Sequence, residues 1–372
     1  MGIWLFWTAI GALIGRRVYT PSANIIKFLL ILFAILLPAD VAFIRGVRLL
    51  FGGIPGSYLP FGQQVTAIFV SLFPVGILLG LLFQWAAKLY IGENAKNIFR
   101  TPRHCNSLYG NKTLALAYAI ESAGAIIGGL ASTLLLQFGV QNFAIAVLCS
   151  ILTVLSVICE QGAKRNYFGI LTFAVLTPVF FFSPGIDHQM TRWNHPHLLE
   201  TRDSPYSRIT IEGRSGQFVV FENDVFGFET ETTAAEEFVI LASIQHEHPE
   251  QIFIAGGGVE GIVGEMLKHG PRSVDYVELN PVLLDLTQKH LPEKYRKSLE
   301  SEIVTVFNAD PRSFLSADPE TGETVKAYDL ILVGMSEPAS GQSNRFYTRE
   351  YFRQCADRLE PDGILAFRLR SS

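Results

Sequence analysis

Up to about residue 186 the chain is almost continuously apolar. The runs fall at about Gly2–Gly15, Ile25–Ile44, Val65–Phe83, Leu114–Phe138, Phe143–Cys159 and Tyr167–Ile186. A helix needs roughly 20 apolar residues to cross the hydrocarbon core of a bilayer, and most of these runs approach that length. Inside lipid every backbone polar group must be satisfied within the segment, which selects helices. The pattern therefore predicts an N-terminal α-helical transmembrane bundle of about six helices over residues 1–186, seated in a lipid bilayer. Composition agrees: 49% of the 372 residues are hydrophobic and only 17% charged, too apolar for an ordinary soluble chain. Charges are sparse to about residue 185 and frequent afterwards, so two unlike halves share the chain. A net charge of −4 gives no basic footprint and argues against nucleic acid as a partner. Cys105, Cys149, Cys159 and Cys355 show no CxxC and no paired spacing, so neither a disulfide framework nor a metal site is indicated.

The first run starts at Met1 without a basic leader region. It reads as a helix whose start is missing rather than as a signal peptide. Gly76 and Gly80, and again Gly124 and Gly128, stand four apart, a spacing that lets helices approach closely in lipid. Packing within one bundle is the preferred reading over homodimerisation, and a homodimer stays open. Asp40 and Glu121 are acids inside apolar runs, expensive there and so functional candidates; an interface position near Arg45 for Asp40, or an interhelical hydrogen bond for Glu121, is the structural alternative. Loops after runs one, three and five hold Arg16, Arg17, Lys27, Lys88, Lys96, Arg100, Arg103, Lys112, Lys164 and Arg165, whereas those after two and four hold Arg45 and Arg48. The positive-inside rule puts the richer loops in the cytoplasm. With six spans it then places the C-terminal half outside, and a miscount by one span reverses this.

A polar linker, residues 187–202, leads into the second half. SRITIEG and GQFVVFEN alternate as a small β-hairpin. From QIFIA onward strands and amphipathic helices alternate: EGIVGEMLKHG, SVDYVEL, NPVLLDLTQKHL, EIVTVFNAD, YDLILVG, REYFRQCADRL and GILAFRL. Buried strands alternating with helices predict a doubly wound parallel sheet, a C-terminal α/β Rossmann-like domain over 203–372.

In IFIAGGGVEG, Gly256, Gly258 and Gly261 fit G-x-G-x-x-G, where glycine permits a tight turn and close approach of backbone to a nucleotide. Glu278 ends the next strand, 20 residues past Gly258, where a carboxylate accepts hydrogen bonds from ribose hydroxyls. NAD and S-adenosyl ligands both satisfy this much. Asp310, ending the third strand in FNADPRSFL, favours an S-adenosyl fold, in which an acid there contacts the adenine amino group.

From about Asp203 onward the chain resembles the spermidine synthase family of aminopropyltransferases. The matching pieces are DSPYSRITI, the hairpin, IFIAGGGVEG, VDYVELNPVLLDL, VFNADPRSFL, AYDLILVGMSEP and FYTREYFRQCADRLEPDGILAFRL. AYAIESAGAIIGGLASTLLLQFG is similar to a span of bacterial proteins that fuse a multi-spanning bundle to such a domain, which implies an integral protein of the bacterial inner membrane with its α/β domain in the cytoplasm, against the charge count above. Seven strands are expected of this fold and the sequence stops after the fifth, so both ends read as truncated. The resemblance implies decarboxylated S-adenosylmethionine, or S-adenosylmethionine, as co-substrate without a metal, a small-molecule amine or other acceptor, and a place in polyamine biosynthesis. It assigns Gly256, Gly257, Gly258 and Gly261 to the glycine loop, Glu278 to the ribose and Asp310 to the adenine.

The acceptor half departs from the family. Its glycine motif reads Gly-Gly-Gly-Asp-Gly, and Val259 stands for the aspartate, with Glu260 one place later. Its Asp-x-x-Asp-Pro motif becomes Gly334 followed by Glu337 and Pro338. Its Tyr-Gln becomes Tyr206 and Ser207, and its Tyr-His-Glu becomes Ala235, Glu236 and Glu237. Aminopropyl transfer needs carboxylates to bind a polycation and to accept a proton, so Glu337 and Glu237 become the catalytic candidates. Asn344 and Arg345 follow at the cleft side, where Arg345 suits an anion. Three readings follow: a membrane-anchored aminopropyltransferase with an altered acceptor site, an S-adenosylmethionine-dependent transferase of another group, and a non-enzymatic polyamine transporter or sensor with a nucleotide-binding domain.

Overall fold

The computed structural model describes residues 2–17, 22–98, 106–161, 167–316, 326–338 and 340–369. Arg100, Arg103, Cys105, Lys164 and Arg165 lie outside them. Two compact units divide at Pro196 and His197.

The N-terminal unit is helical: α1 Gly2–Arg16, α2 Ala23–Leu50, α3 Phe61–Ile98, α4 Asn106–Gln137, α5 Asn142–Gln161, α6 Tyr167–Phe181 and α7 Ser183–Arg192. Five of the six expected apolar runs are each one helix and the sixth is divided between α6 and α7, and the count of six spans needs correction. Four described helices, α2 to α5, are long and apolar enough to cross a membrane, and five if α6 and α7 count as one bent span. With 15 residues, α1 reaches only about 22 Å, short of the ~30 Å hydrocarbon core. Helices α6 and α7 meet at 71°, where Pro184 opens the new helix and cannot continue the old one.

Small residues set the packing of this unit. A Cβ at Gly80 would collide with the backbone of Thr8, and one at Gly11 with the carbonyl of Ile77, so α1 and α3 lie backbone to backbone. Gly124 and Gly128 on α4 meet nothing within 4 Å. Asp40 accepts a hydrogen bond from Ser71 of α3 at 2.8 Å, while Arg45 pairs with the buried Asp187 of α7 at 3.5 Å. Glu121 is exposed on α4.

The stretch expected as a linker is ordered structure: residues 187–192 complete α7, and Leu198–Asp203 form strand β1. The expected hairpin grows into a four-stranded antiparallel sheet of β1, β2 Arg208–Arg214, β3 Gln217–Glu222 and β4 Val225–Glu229, paired in that order. Two-residue turns close it, Ser215–Gly216 and Asn223–Asp224, all four residues at positive φ between 52° and 85°, the geometry that matches strand twist. The missed strands are short, and β4 carries a bulge against β3, which breaks the alternation a reader looks for.

A five-stranded parallel sheet follows. Its strands are β5 Gln251–Ala255, β6 Ser273–Glu278, β7 Val304–Asn308, β8 Tyr328–Val333 and β9 Leu359–Phe367, in the order β7-β6-β5-β8-β9. Helices α8 Ala234–Ser243, α9 Ile262–Leu267, α10 Pro281–His290, α11 Glu293–Leu299, α12 Pro311–Leu315, α13 Gly341–Asn344 and α14 Arg349–Ala356 complete the Rossmann-like domain. Alternation along β5 splits the core: Ile252 and Ile254 join one apolar cluster with Val274 and Tyr276, Phe253 and Ala255 join the other with Val277 and Tyr351. The chain runs outward to β7 and then returns to place β8 beside β5. That reversal opens a crevice at the carboxyl ends of the central strands, where open α/β sheets bind ligands.

Candidate functional site

The glycine loop leaves β5 at this crevice. Gly256, Gly257 and Gly261 take φ of 67°, 72° and 117°, which side chains resist. Gly258 is required for a different reason: a Cβ there would stand 2.6 Å from the ring of Tyr276. Gly258–Glu260 form a 3-10 turn, and α9 is only six residues long. The continuous helix expected from residue 260 is thus broken by Gly261.

Glu278, at the last position of β6, is buried at 4% exposure. The Tyr276 hydroxyl donates to its Oε2 at 2.7 Å and the Asn280 amide to its Oε1 at 3.0 Å. Burial pushes this carboxyl up to about 7, against those two hydrogen bonds and with the charge of Glu222. A carboxylate has about four acceptor sites, so Glu278 keeps capacity for further donors. Ser207 accepts from the Asn280 side chain at 2.9 Å and ties the antiparallel sheet to this corner. Glu222 of β3 accepts from Ser336 at 2.5 Å, joining that sheet to the loop after β8.

Asp310 caps α12 by accepting the Arg312 amide at 3.0 Å. Its other oxygen meets Arg345 at 2.9 Å. The anion that Arg345 suits is therefore supplied by the chain itself. Sequence spacing hid this pair, because its members stand 35 positions apart with a strand between them.

The acceptor-side positions are placed differently from one another. Val259 is 2% exposed and belongs to the core cluster, so this position faces inward. Glu260 pairs with Arg368 beyond β9. Gly334 packs on the glycine loop, where a Cβ would stand 2.7 Å from the Gly256 carbonyl oxygen. Glu337 is half-buried after β8; burial and then its charge push Tyr347 up to about 12. Glu237 is exposed in the first turn of α8 and accepts from Thr233 at 3.0 Å. A cavity of 760 Å³ flanks the loop, lined by Glu236, Glu260, Gly261, Glu265, Lys268 and Tyr295 among others. Among the described residues no group of three or more His, Cys, Asp or Glu is placed to hold a metal.

Residues 231–370 match the family described as the spermine/spermidine synthase domain. A polyamine aminopropyltransferase of Oceanobacillus iheyensis is 27% identical over 272 residues, covering 68% of this chain and 52% of its own. That share of the chain is larger than His197–Ser372, so the similarity reaches into the helical unit. A polyamine aminopropyltransferase of Nitrosomonas europaea is 29% identical over 184 residues, 47% of this chain and 53% of its own. A crystal structure of spermidine synthase in complex with the transition state analogue AdoDATO aligns with a TM-score of 0.42 and 19% identity, over 46% of this chain and 58% of that one. The chain spans about half the length of the curated relatives it matches.

Proposed function

We propose, for a chain whose residues 231–370 match the spermine/spermidine synthase domain family, that the C-terminal unit transfers an aminopropyl group from decarboxylated S-adenosylmethionine to an amine through an altered acceptor site. The observation that carries the nucleoside half is Glu278, a buried carboxylate at the end of β6 that accepts from Tyr276, Asn280 and the Leu279 backbone and keeps acceptor capacity beyond these for a ribose hydroxyl. Gly256, Gly257, Gly258 and Gly261 let the backbone pass close to the sulfonium and ribose. Asp310, held by Arg345, receives the adenine amino group.

In the reaction the lone pair of a neutral amine nitrogen attacks the carbon beside the sulfonium. The new C–N bond forms as that C–S bond breaks, and the electron pair returns to sulfur, so methylthioadenosine leaves. The nitrogen then sheds a proton. Glu337 accepts it, being the half-buried acid that follows β8 beside Tyr347. Glu237 holds a distal cation of the acceptor. The inward Val259 and the tight Gly334 support an acceptor bound differently from the polyamines of the family's intact motif. The N-terminal helices anchor the domain in a lipid bilayer.

The test is release of methylthioadenosine from decarboxylated S-adenosylmethionine by the full chain in detergent, across a panel of mono-, di- and triamines. One amine-dependent signal that Glu337→Gln lowers by about a hundredfold supports the reading. Nucleoside binding without release for any amine contradicts the transfer step and leaves the binding intact.

A further inference from the structure

The amides of a nucleotide-binding glycine loop ordinarily serve the ligand. Here most of them are spent inside the protein. Gly256 N–H bonds Val277 O, Glu260 N–H bonds Gly257 O, and Gly261 N–H bonds Gly258 O. The amides of Gly258 and Val259 face the phenol oxygen of Tyr276. A pyrophosphate needs a fan of such donors, and this loop has turned them inward.

We propose that Tyr276 is a positioning and specificity-determining residue of the nucleoside site. Its one hydroxyl accepts from the inner side of the glycine loop and donates to Glu278, so the pocket takes a phosphate-free adenine nucleoside bearing a thioether or sulfonium. This rests on the reading that Glu278 receives the ribose. Tyr276 is fully buried, its ring closes the space under Gly258, and it lies two residues before Glu278, on the same face of β6. One rigid aromatic thus fixes the rotamer of the ribose acid and the path of the loop above it. The hydroxyl also stabilises the carboxylate over the neutral acid, opposing burial. The titratable groups facing Glu278 are Tyr276 on its own strand and Glu222 from β3; Asp310 and Arg345, at the neighbouring strand end, pair with each other.

Ribose hydroxyls donate to the carboxylate, so nucleoside affinity rises with pH through the Glu278 titration near 7 and is flat above it. The experiment is calorimetric titration of the detergent-purified full chain with methylthioadenosine and with NADH from about pH 5.5 to 8.5. It compares wild type, Tyr276→Phe, and protein carrying 3-fluorotyrosine at 276, which keeps the ring's shape but is a stronger donor. Wild type is expected to bind methylthioadenosine and not NADH. In Tyr276→Phe the midpoint moves to higher pH and affinity at pH 8 falls about tenfold; in the fluorinated protein the midpoint moves lower. Tight NADH binding by wild type, or a midpoint unmoved by either replacement, overturns the inference while the nucleoside reading stands. Failure of folded wild type to bind methylthioadenosine at any pH removes that reading, and the inference with it. Should Tyr276→Phe not fold, the fluorinated protein alone decides.

Discussion

Residue by residue, the crevice divides into positions a reader of the sequence can assign and positions only packing assigns. The placement of Glu278 at a strand end and of the loop glycines in a tight turn is legible in the sequence because both have local causes, while their roles toward a ligand belong to the proposal. Tyr276 was visible in SVDYVEL but unremarkable, since an aromatic in a buried strand is ordinarily core. Val259 was read as a missing carboxylate, yet its side chain is in the core. Val259→Asp is therefore expected to lower stability by about 2 kcal/mol or more without raising transfer activity; a gain in turnover at unchanged melting temperature contradicts the inward placement. Gly334→Asp is likewise expected to weaken nucleoside binding, because its Cβ meets the Gly256 carbonyl and the loop must move. The raised Glu278 carboxyl has a stability consequence. Its folded value of about 7 exceeds the ordinary 4.5, so the native state binds the extra proton. The contribution of this one group is full below pH 4.5 and is lost as pH rises through 7, by about 3 kcal/mol in all. Thermal melts against pH show this slope in wild type and lose it in Glu278→Gln.

At the scale of elements, the antiparallel sheet is fastened to α10 by a charged staple. Glu200 of β1 accepts from Lys289 at 2.5 Å and meets His290 at 2.7 Å, and Arg202 adds a bond at 2.9 Å. Burial opposes ionisation there, but the three partners outweigh it and hold the carboxyl down to about 2. Folded below unfolded, this group stabilises above pH 4.5 and loses its contribution as pH falls towards 2. Glu200→Gln should flatten melting temperature across that window, and an unchanged slope would show that other acids dominate it. In the helical unit, Gly80→Leu is expected to separate α1 from α3, because the backbone of Thr8 occupies the space; lost monodispersity in detergent reports it. The helices themselves were legible from hydropathy and the strands from alternation. Span count was not, since a short helix and a bent pair differ from a span in length and angle rather than in composition. Nor were β1 and β4, whose pairing comes from tertiary context.

At the scale of the whole molecule, a unit of apolar helices, four of them among the described residues long enough to cross a membrane, precedes a unit for which S-adenosyl binding and aminopropyl transfer are proposed. S-adenosyl compounds are made in the cytosol, so the proposed ligand carries with it the proposal that the α/β domain lies there. Among the described residues four helices, or five with the bent pair as one span, are long and apolar enough to cross a membrane, and an odd count reverses the side that the loop charges assign. A single cysteine in place of Glu247, exposed on the α/β unit, in a chain stripped of its native cysteines, should resist an impermeant maleimide in intact cells and react after lysis; labelling in intact cells would move the domain outside and undercut the transferase reading. The central claim is that the crevice selects decarboxylated S-adenosylmethionine. Calorimetric titration of the detergent-purified chain with that compound, with S-adenosylmethionine and with NADH, beside a Glu278→Ala control, tests it most directly. Tightest binding of the decarboxylated compound, lost in the control, is the predicted result. Preference for the carboxylated compound, or heat from none of the three in a folded sample, contradicts it.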